Sequence, residues 1–561
     1  MRSSADVHRV SLLMTTDLRS IDADVAGSVR ASGADARVSR REESPRFVWT
    51  VLVLYTAFVS TVSAFHEPWK DETQAWRLAI DSDGLRQLAR NARYEGHPLL
   101  FHVMMQALGH VSRSWWALAT MHVIIAALAA WLVLRYAPFT RAQKVLLVFS
   151  YWMAYEYAVV VRPYGLGVMF AFAACVAWTA WRRRTGWATL FLVLLANTSP
   201  MGTLLAMVLA LAFAVDWAWP DEGRPRPSRR SLLVGGFAAL VATVVVLSVA
   251  AAQIKPPADA SYKGEPRVVK AGISKWDLGA APTTELRALV PVVRASADGV
   301  HWNIWLLRPE SRAALAILLV ASLAAIALGC IVASRRRMAL LLFVVGTSGY
   351  LIFFGFLLPG AAHHHGHLFV VWVLSAWLAW GGAPSRWPPA LQRLSERFEP
   401  ERSRVLTLSL VLPVVATLEV AGGDLVGPFA DSRHVADFIR SRGLADATIV
   451  ASSRSEAQAV AAFLDRPILF PFEGRKRTFV VWGGASPYRG MMQAQDSVVT
   501  QLLTRECEVV VLSSPSRDVS SAIASRGKVL YTTPRPPMSG DRYRVWLVQA
   551  PPSPRCPARA R

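Results

Sequence analysis

Residues 47–65 read FVWTVLVLYTAFVSTVSAF, nineteen residues without a charge, and the chain then turns polar as His66-Glu67-Pro68-Trp69-Lys70-Asp71-Glu72-Thr73-Gln74-Ala75-Trp76. A helix of that length spans roughly 30 Å, the thickness of a bilayer's hydrocarbon core. Residues 1–46 are polar and Arg-rich. They are too long and too polar for the n-region of a cleaved signal, so the run reads as a signal anchor behind a disordered cytoplasmic tail. The whole chain agrees: 53% of its 561 residues are hydrophobic, 18% are charged, and mean hydropathy is +0.32. An ordinary soluble domain carries about 25% charge.

Further apolar runs follow: Trp115–Leu134, Val145–Val161, Tyr164–Trp181, Trp187–Val215, Ser231–Ala252, Ala313–Ser334, Met338–Leu358, Leu368–Trp380 and Val405–Ala421. The net charge of +22 comes largely from arginines clustered between these runs. Such clusters orient a membrane protein, and no zinc-finger, RNP or basic-zipper pattern accompanies them, so nucleic acid is not expected as a partner. One parity satisfies five basic loops, with loop 253–311 in mild conflict at a length where the rule weakens. It requires that Trp187–Val215 be two short helices meeting at Asn197-Thr198-Ser199-Pro200, and that His97–Val111 lie on the surface as a juxtamembrane helix. The expectation is about eleven transmembrane helices over 47–421 in the inner (plasma) membrane, N-terminus cytoplasmic, with outer loops at 66–114 and 253–311. An extracytoplasmic α/β domain at 422–550 and a disordered tail at 551–561 complete the chain. Strands are expected at Thr448–Ser452, Phe479–Trp482, Val509–Ser513, Val529–Thr532 and Tyr543–Val548, with helices between them. Of four cysteines, Cys175 and Cys330 lie in apolar runs and Cys507 and Cys556 in the C-terminal part. No C-x-x-C occurs, and pairing of the last two is left open.

Candidate chemistry gathers at one face of the membrane. Asp71 and Glu72 point about 100° apart on a helix, so one carboxylate suits a general base while the pair also suits a helix start, where it complements the macrodipole. Glu95 and His97 precede Pro98 at the start of the juxtamembrane helix, a place that favours anions or simple capping. Glu156 is an acid inside a span, and Arg162 sits at the boundary before Pro163 and Tyr164; they form a structural pair, or Arg162 grips a phosphate with its planar fork. His363-His364-His365-Gly366-His367 admits a metal, a phosphate or sugar contact, or helix capping. No ligand pattern specifies a divalent metal, and the cofactor stays unknown. Loop 253–311 carries eight lysines and arginines, which suit an anionic lipid headgroup or a solvated loop.

Asp71-Glu72 directly after the first span, the helical outer loop, the His97-Pro98-Leu99 element and the Arg162-Pro163-Tyr164 boundary together resemble the GT-C glycosyltransferases. The likeness is to the protein O-mannosyltransferase and lipid A aminoarabinose transferase type, over residues 47–200. That resemblance implies a polytopic enzyme that takes a sugar from a polyprenyl-phosphate carrier and hands it to an envelope glycan, lipid or protein on the outer face. It implies that Asp71 is the base or acceptor-orienting carboxylate and that Arg162 with His97 stabilises the departing phosphate. The reading of the residues adds Glu72 to the catalytic set, Tyr164 and His367 to the carrier contacts, and Glu95, Glu156 and His365 as support. These relatives carry a Lys-Pro-Pro-like element where this chain has His97. The alternative is a transporter or flippase for a lipid-linked or anionic envelope precursor, suggested by Glu156 and by the broken segment at Asn197–Pro200.

Overall fold

The computed structural model describes residues 43–180, 185–220, 228–260 and 281–556, apart from 297–298, 308, 359, 453, 472, 484–487 and 516–518. Residues 1–42 of the expected tail 1–46, the end at 557–561, and Lys263, Arg267, Lys270, Lys275 and Arg308 of the basic loop lie outside the described residues, while Pro45 and Arg46 already belong to the first helix.

The first run is α1 (Pro45–Phe65), with proline at its first turn. Loop 66–114 holds three short helices: α2 (Lys70–Ile80), α3 (Gly84–Ala92) and α4 (Leu100–Gly109). Next come α5 (Trp115–Tyr136), α6 (Arg141–Val148), a π-helical turn (Trp152–Glu156) and α7 (Pro163–Thr179). The long run at 187–215 is two helices, α8 (Thr185–Ala196) and α9 (Pro200–Ala218), and Ser199 caps the second by accepting from Gly202 N at 2.9 Å. The bundle is completed by α10 (Arg229–Ile254), α11 (Thr283–Leu289), the hairpin β1 (Val293–Ser296) and β2 (Gly299–Trp305), α12 (Arg312–Ala333), α13 (Arg337–Phe356), α14 (Ala362–Trp380), α15 (Pro389–Arg397) and α16 (Glu399–Val426). Among the described residues seven helices are long and apolar enough to cross a membrane: α1, α5, α9, α10, α12, α13 and α16. On α10 the apolar residues Leu233, Val234 and Phe237 stand exposed, as lipid-facing side chains do.

One expected span is not a helix. Val145–Val161 divides between the end of α6, the π turn and an irregular stretch. It reads as a span because all of Ser150–Val161 is buried, but it is buried in protein, and a segment apolar all round fits either solvent. Loop 253–311 also differs from a solvated loop where it is described. Thr283, Thr284 and Glu285 of α11 are buried, and Trp302 of β2 is fully enclosed.

The C-terminal part is an α/β domain. Its elements are α17 (Ser432–Ser441), β3 (Thr448–Ala451), α18 (Arg454–Leu464), β4 (Ile468–Phe470), β5 (Arg475–Arg477), α19 (Tyr488–Leu503), β6 (Glu508–Ser513), α20 (Ser521–Arg526), β7 (Gly527–Thr532) and β8 (Arg544–Gln549). The sheet order is β5-β4-β3-β6-β8-β7, with β4, β3 and β6 parallel and the other pairings antiparallel. The all-buried sequence of β3, Thr-Ile-Val-Ala, suits a central strand covered on both faces. Phe479–Trp482, expected as a strand, lies outside the sheet. Its backbone pairs with a side chain instead: Gln74 of α2 donates to Val480 O at 2.7 Å and accepts from Val480 N at 2.9 Å. Cys507 and Cys556 form a disulfide, so residues 551–556 of the expected disordered tail are pinned to the start of β6.

The α/β domain and loop 66–114 meet at one end of the bundle. Lys70 pairs with Asp541 at 2.8 Å, Arg77 with Asp465 at 2.6 Å, and Arg433 N donates to Glu67 at 2.7 Å. Beneath them lies a buried charge network. His66, at the end of α1, reaches Asp424 of α16 at 2.7 Å through Nδ1 and Glu72 of α2 at 3.2 Å through Nε2. Burial opposes a charge on this ring, but the two carboxylates outweigh it and raise His66 to about 10. A raised folded value stabilises fully below the unfolded value of 6.5, and the gain is lost as pH climbs toward about 10. Thermal unfolding in detergent is therefore expected to show a midpoint that falls between pH 7 and 10. His66→Gln should flatten that slope and lower the midpoint at pH 7 by the equivalent of roughly 3–5 kcal/mol, the usual loss when one partner of a buried ionic set is removed. An unchanged slope in the variant would remove His66 from this role.

Candidate functional site

Two chain segments build the site, and one carboxylate holds both. Trp69 is the N-cap of α2, and Glu72 at the third helical position reaches back to accept from Trp69 N at 3.0 Å. The other oxygen of Glu72 accepts from Val161 N at 2.6 Å, directly before Arg162. Glu72 is 1% exposed. Expected beside Asp71 as a catalytic carboxylate, it instead fixes the start of α2 and the start of α7 against each other. Asp71, one residue earlier, points elsewhere: its side chain is 39% exposed and pairs with Arg162 at 2.9 Å. The 100° divergence of neighbouring helical residues separates the two carboxylates as expected.

Arg162 is the N-cap of α7, with Pro163 at the first helical position. His122 of α5 steadies the turn leading to it, with its ring nitrogens 3.0 Å from Ala158 O and 3.1 Å from Arg162 O. The guanidinium lies over two rings, 5.9 Å from the Trp69 centroid and 5.8 Å from that of Tyr164. It does not pair with Glu156. That acid accepts from Tyr151 at 2.6 Å and from Trp302 Nε1 at 2.8 Å, and so supports the indole wall from below. Trp302 in turn meets Trp69 edge-on at 4.9 Å and stacks on His363 at 6.2 Å.

The histidine tract divides by helical face. His363, His364 and His367 surround Tyr164, with ring centroids 5.4, 5.7 and 5.4 Å away. His365 turns to the other side, edge-on to Phe354 at 5.0 Å. His364 Nδ1 accepts from Ala361 N at 2.9 Å, so in a neutral ring Nε2 carries the proton and donates to Tyr164 Oη at 3.1 Å. The tyrosine hydroxyl is then left with a proton to give. Tyr157 Oη donates to His363 O at 2.7 Å and lies 3.2 Å from His367 Nδ1. Gly366 makes this packing attainable, since a Cβ there would collide with Trp152 and the Tyr157 hydroxyl. Among the described residues no three His, Cys, Asp or Glu side chains group as metal ligands.

Glu95 and His97 stand on either side of Gly96, whose φ of +68° is a left-handed turn that glycine adopts without strain. Burial pushes Glu95 up to about 7, opposed by the 2.8 Å bond from Gln74. Burial, with Arg162 nearby, lowers His97 to about 3, so the ring is neutral at pH 7 and offers hydrogen bonding rather than charge. It meets the edge of Tyr164 at 6.4 Å.

The structure thus joins Asp71, Arg162, Tyr164, His97 and His367 in one cluster, with Glu95 and Glu156 supporting it, and leaves His365 outside. Sequence reasoning missed Trp69, Trp302 and His122, and did not select His363 and His364 from their tract. For the tract a signal existed. Positions 363, 364 and 367 share one side of a helix and 365 does not, but the face is assigned only once Tyr164 is known to lie beside it.

No family model and no curated protein matches the chain. Solved structures do. ArnT from Cupriavidus metallidurans in the apo state matches with a TM-score of 0.50 at 11% identity, over 91% of this chain and 100% of that one. The same protein bound to undecaprenyl phosphate matches with a TM-score of 0.46 at 12% identity, over 89% and 97%. At such identities the likeness concerns architecture: the chain is a polytopic helical membrane protein with a C-terminal α/β domain, and it shares its fold with ArnT.

Proposed function

We propose that the protein is a membrane glycosyltransferase that moves a sugar from a polyprenyl-phosphate carrier to an envelope acceptor on the outer face of the membrane. The observation that carries this reading is the Asp71–Arg162 pair, an accessible carboxylate beside a guanidinium framed by two aromatic rings at the mouth of a helical bundle. The fold shared with ArnT accords with it. Arg162 suits a phosphate whose lipid tail stays in the bilayer, because its planar fork contacts two oxygens at once. His97 and the Tyr164 hydroxyl add neutral hydrogen-bonding groups. A phosphate that engages Arg162 draws it from Asp71 and frees that carboxylate as a base. Asp71 then takes the proton of the acceptor hydroxyl, and the acceptor oxygen attacks the anomeric carbon. The bond from that carbon to the phosphate oxygen breaks, and its electron pair leaves with polyprenyl phosphate, whose new charge Arg162 offsets.

Orientation is supported from both ends. Arg141 and Lys144 pair with Glu43, and Arg335 pairs with Glu399, in the loops that the basic-residue parity places inside. The Cys507–Cys556 disulfide suits an oxidising compartment such as the periplasm. The two features that suggested a transporter have structural partners: Glu156 is held by Tyr151 and Trp302, and the break at 197–200 is a capped helix start.

The test separates base, anchor and support. Asp71→Asn should lower transfer by about 10²–10⁴-fold, the usual worth of a general base, with carrier affinity kept. Glu72→Gln should instead lower thermal stability together with both binding and turnover, because it loosens both segments at once. Normal turnover in Asp71→Asn would overturn the assignment. Arg162→Ala should weaken binding of sugar-free polyprenyl phosphate by the equivalent of roughly 1.5–3 kcal/mol, the range for a charge-assisted hydrogen bond. Arg162→Lys should recover only part, since a point charge replaces a fork. Unchanged affinity in Arg162→Ala would place the carrier elsewhere.

A further inference from the structure

Between loop 66–114 and the α/β domain lies an open cleft of about 850 Å³, away from the Asp71–Arg162 pair. Seven basic side chains line it against two acidic ones. Three of the seven have carboxylate partners: Arg77 pairs with Asp81 and Asp465, Arg113 with Asp81, and Arg477 with Glu473. The lining carboxylates are consumed by these contacts. The remaining four, Arg90, Arg93, Arg475 and Lys476, are exposed, and none makes an ion pair among the described residues. They form two walls. Arg90 and Arg93 stand at the end of α3, and Arg475 and Lys476 on the edge strand β5.

An edge strand often carries charge to repel a pairing neighbour, and that accounts for β5 alone. It does not account for a second row of arginines facing it from α3. Like charges brought together without partners cost free energy unless an anion joins them. Gln87, Asn91 and the Tyr94 ring line the same cleft. Gln87 Oε1 accepts from Asp83 N, Asn91 Nδ2 donates to Ser82 Oγ and Tyr94 Oη donates to Asp259. These bonds fix the groups in place and leave the Gln87 amide nitrogen and the Asn91 oxygen for sugar hydroxyls beside the aromatic ring. Helix α2 connects the cleft to the site: Arg77 and Asp81 line the cleft and Asp71 lies on the same helix. At 1.5 Å per residue, six residues from Asp71 to Arg77 are about 9 Å along the axis, and at about 100° per residue they stand about 120° apart around it, so a glycan reaching from one to the other follows the helix surface.

We propose that this cleft binds an extended anionic glycan, one bearing phosphate or carboxylate groups along its length, and holds it as the acceptor whose nucleophile reaches Asp71. The acceptor role rests on the glycosyltransferase reading; the binding does not. Two facing rows of cations with amides and an aromatic ring between them fit a linear polyanionic sugar better than a single headgroup.

The experiment uses the full chain in phosphatidylcholine nanodiscs, with an oligogalacturonate as carboxylate glycan, a dextran of equal length as uncharged control, and inorganic tripolyphosphate as competitor. Wild type should bind oligogalacturonate with an affinity that falls as salt rises, tripolyphosphate should displace it, and dextran should not bind. The triple variant Arg90→Gln, Arg475→Gln, Lys476→Gln should bind it at least tenfold more weakly while keeping its polyprenyl-phosphate affinity, since none of the three touches that site. Equal glycan affinity in the variant, or equal binding of dextran, overturns the proposal. So does displacement of the glycan when phosphatidylglycerol replaces phosphatidylcholine in the disc, which would make the cleft a lipid-headgroup site. Arg162→Ala should leave glycan binding intact. If it also leaves polyprenyl-phosphate affinity intact, the carrier reading falls and the cleft stands.

Discussion

The Glu72 carboxylate is the point on which the site depends. It accepts from Trp69 N, which starts α2, and from Val161 N, which leads into α7. Those two starts carry Asp71 and Arg162, the base and the phosphate anchor of the proposed reaction. Two segments 89 residues apart in sequence are thereby fixed by one buried group. A carboxylate so deeply enclosed needs countercharge, and His66 supplies it while reaching Asp424 on α16. The arrangement leaves Asp71 accessible because Glu72 is not. Adjacent carboxylates divide the work: one is buried and spent on geometry, the other stays accessible beside Arg162.

Around this point the bundle is also closed by hydrogen bonds from aromatic side chains to backbone carbonyls. Tyr55 of α1 donates to Met153 O at 2.6 Å, and Trp152 of the π turn donates to Ala288 O of α11 at 2.8 Å. The first bond satisfies a carbonyl of the π turn, and the second gives the Trp152 indole N–H a partner in the last turn of α11. That is why Ser150–Val161 can leave the helical path and bring Arg162 to the mouth of the bundle. The α/β domain adds a lid of ion pairs over loop 66–114, and Gln74 substitutes for a strand neighbour at Val480.

Much of this was legible in the sequence, and the limits have physical causes. Apolar runs and basic loops located the helices because bilayer thickness and charge placement act on composition directly. Val145–Val161 misled because burial in protein and burial in lipid select the same residues. The broken helix at Asn197–Pro200 was readable from a capping serine and a proline. Asp71 and Arg162 could be named because each sits beside the end of an apolar run, yet their pairing joins residues far apart in sequence and no local pattern reports it. Trp302 was missed for the same reason, since it belongs to a loop that folds back into the bundle. Glu72 was named with the wrong emphasis, because a capping carboxylate and a catalytic one look alike until their exposure is known.

The central claim is that Arg162 exchanges the Asp71 carboxylate for the phosphate of the carrier. A structure of the full chain with sugar-free polyprenyl phosphate bound tests it most directly. The account predicts phosphate oxygens about 2.7–2.9 Å from the Arg162 guanidinium, with the Asp71 carboxylate released and turned toward solvent. A phosphate bound elsewhere, with the Asp71–Arg162 pair intact, would contradict it.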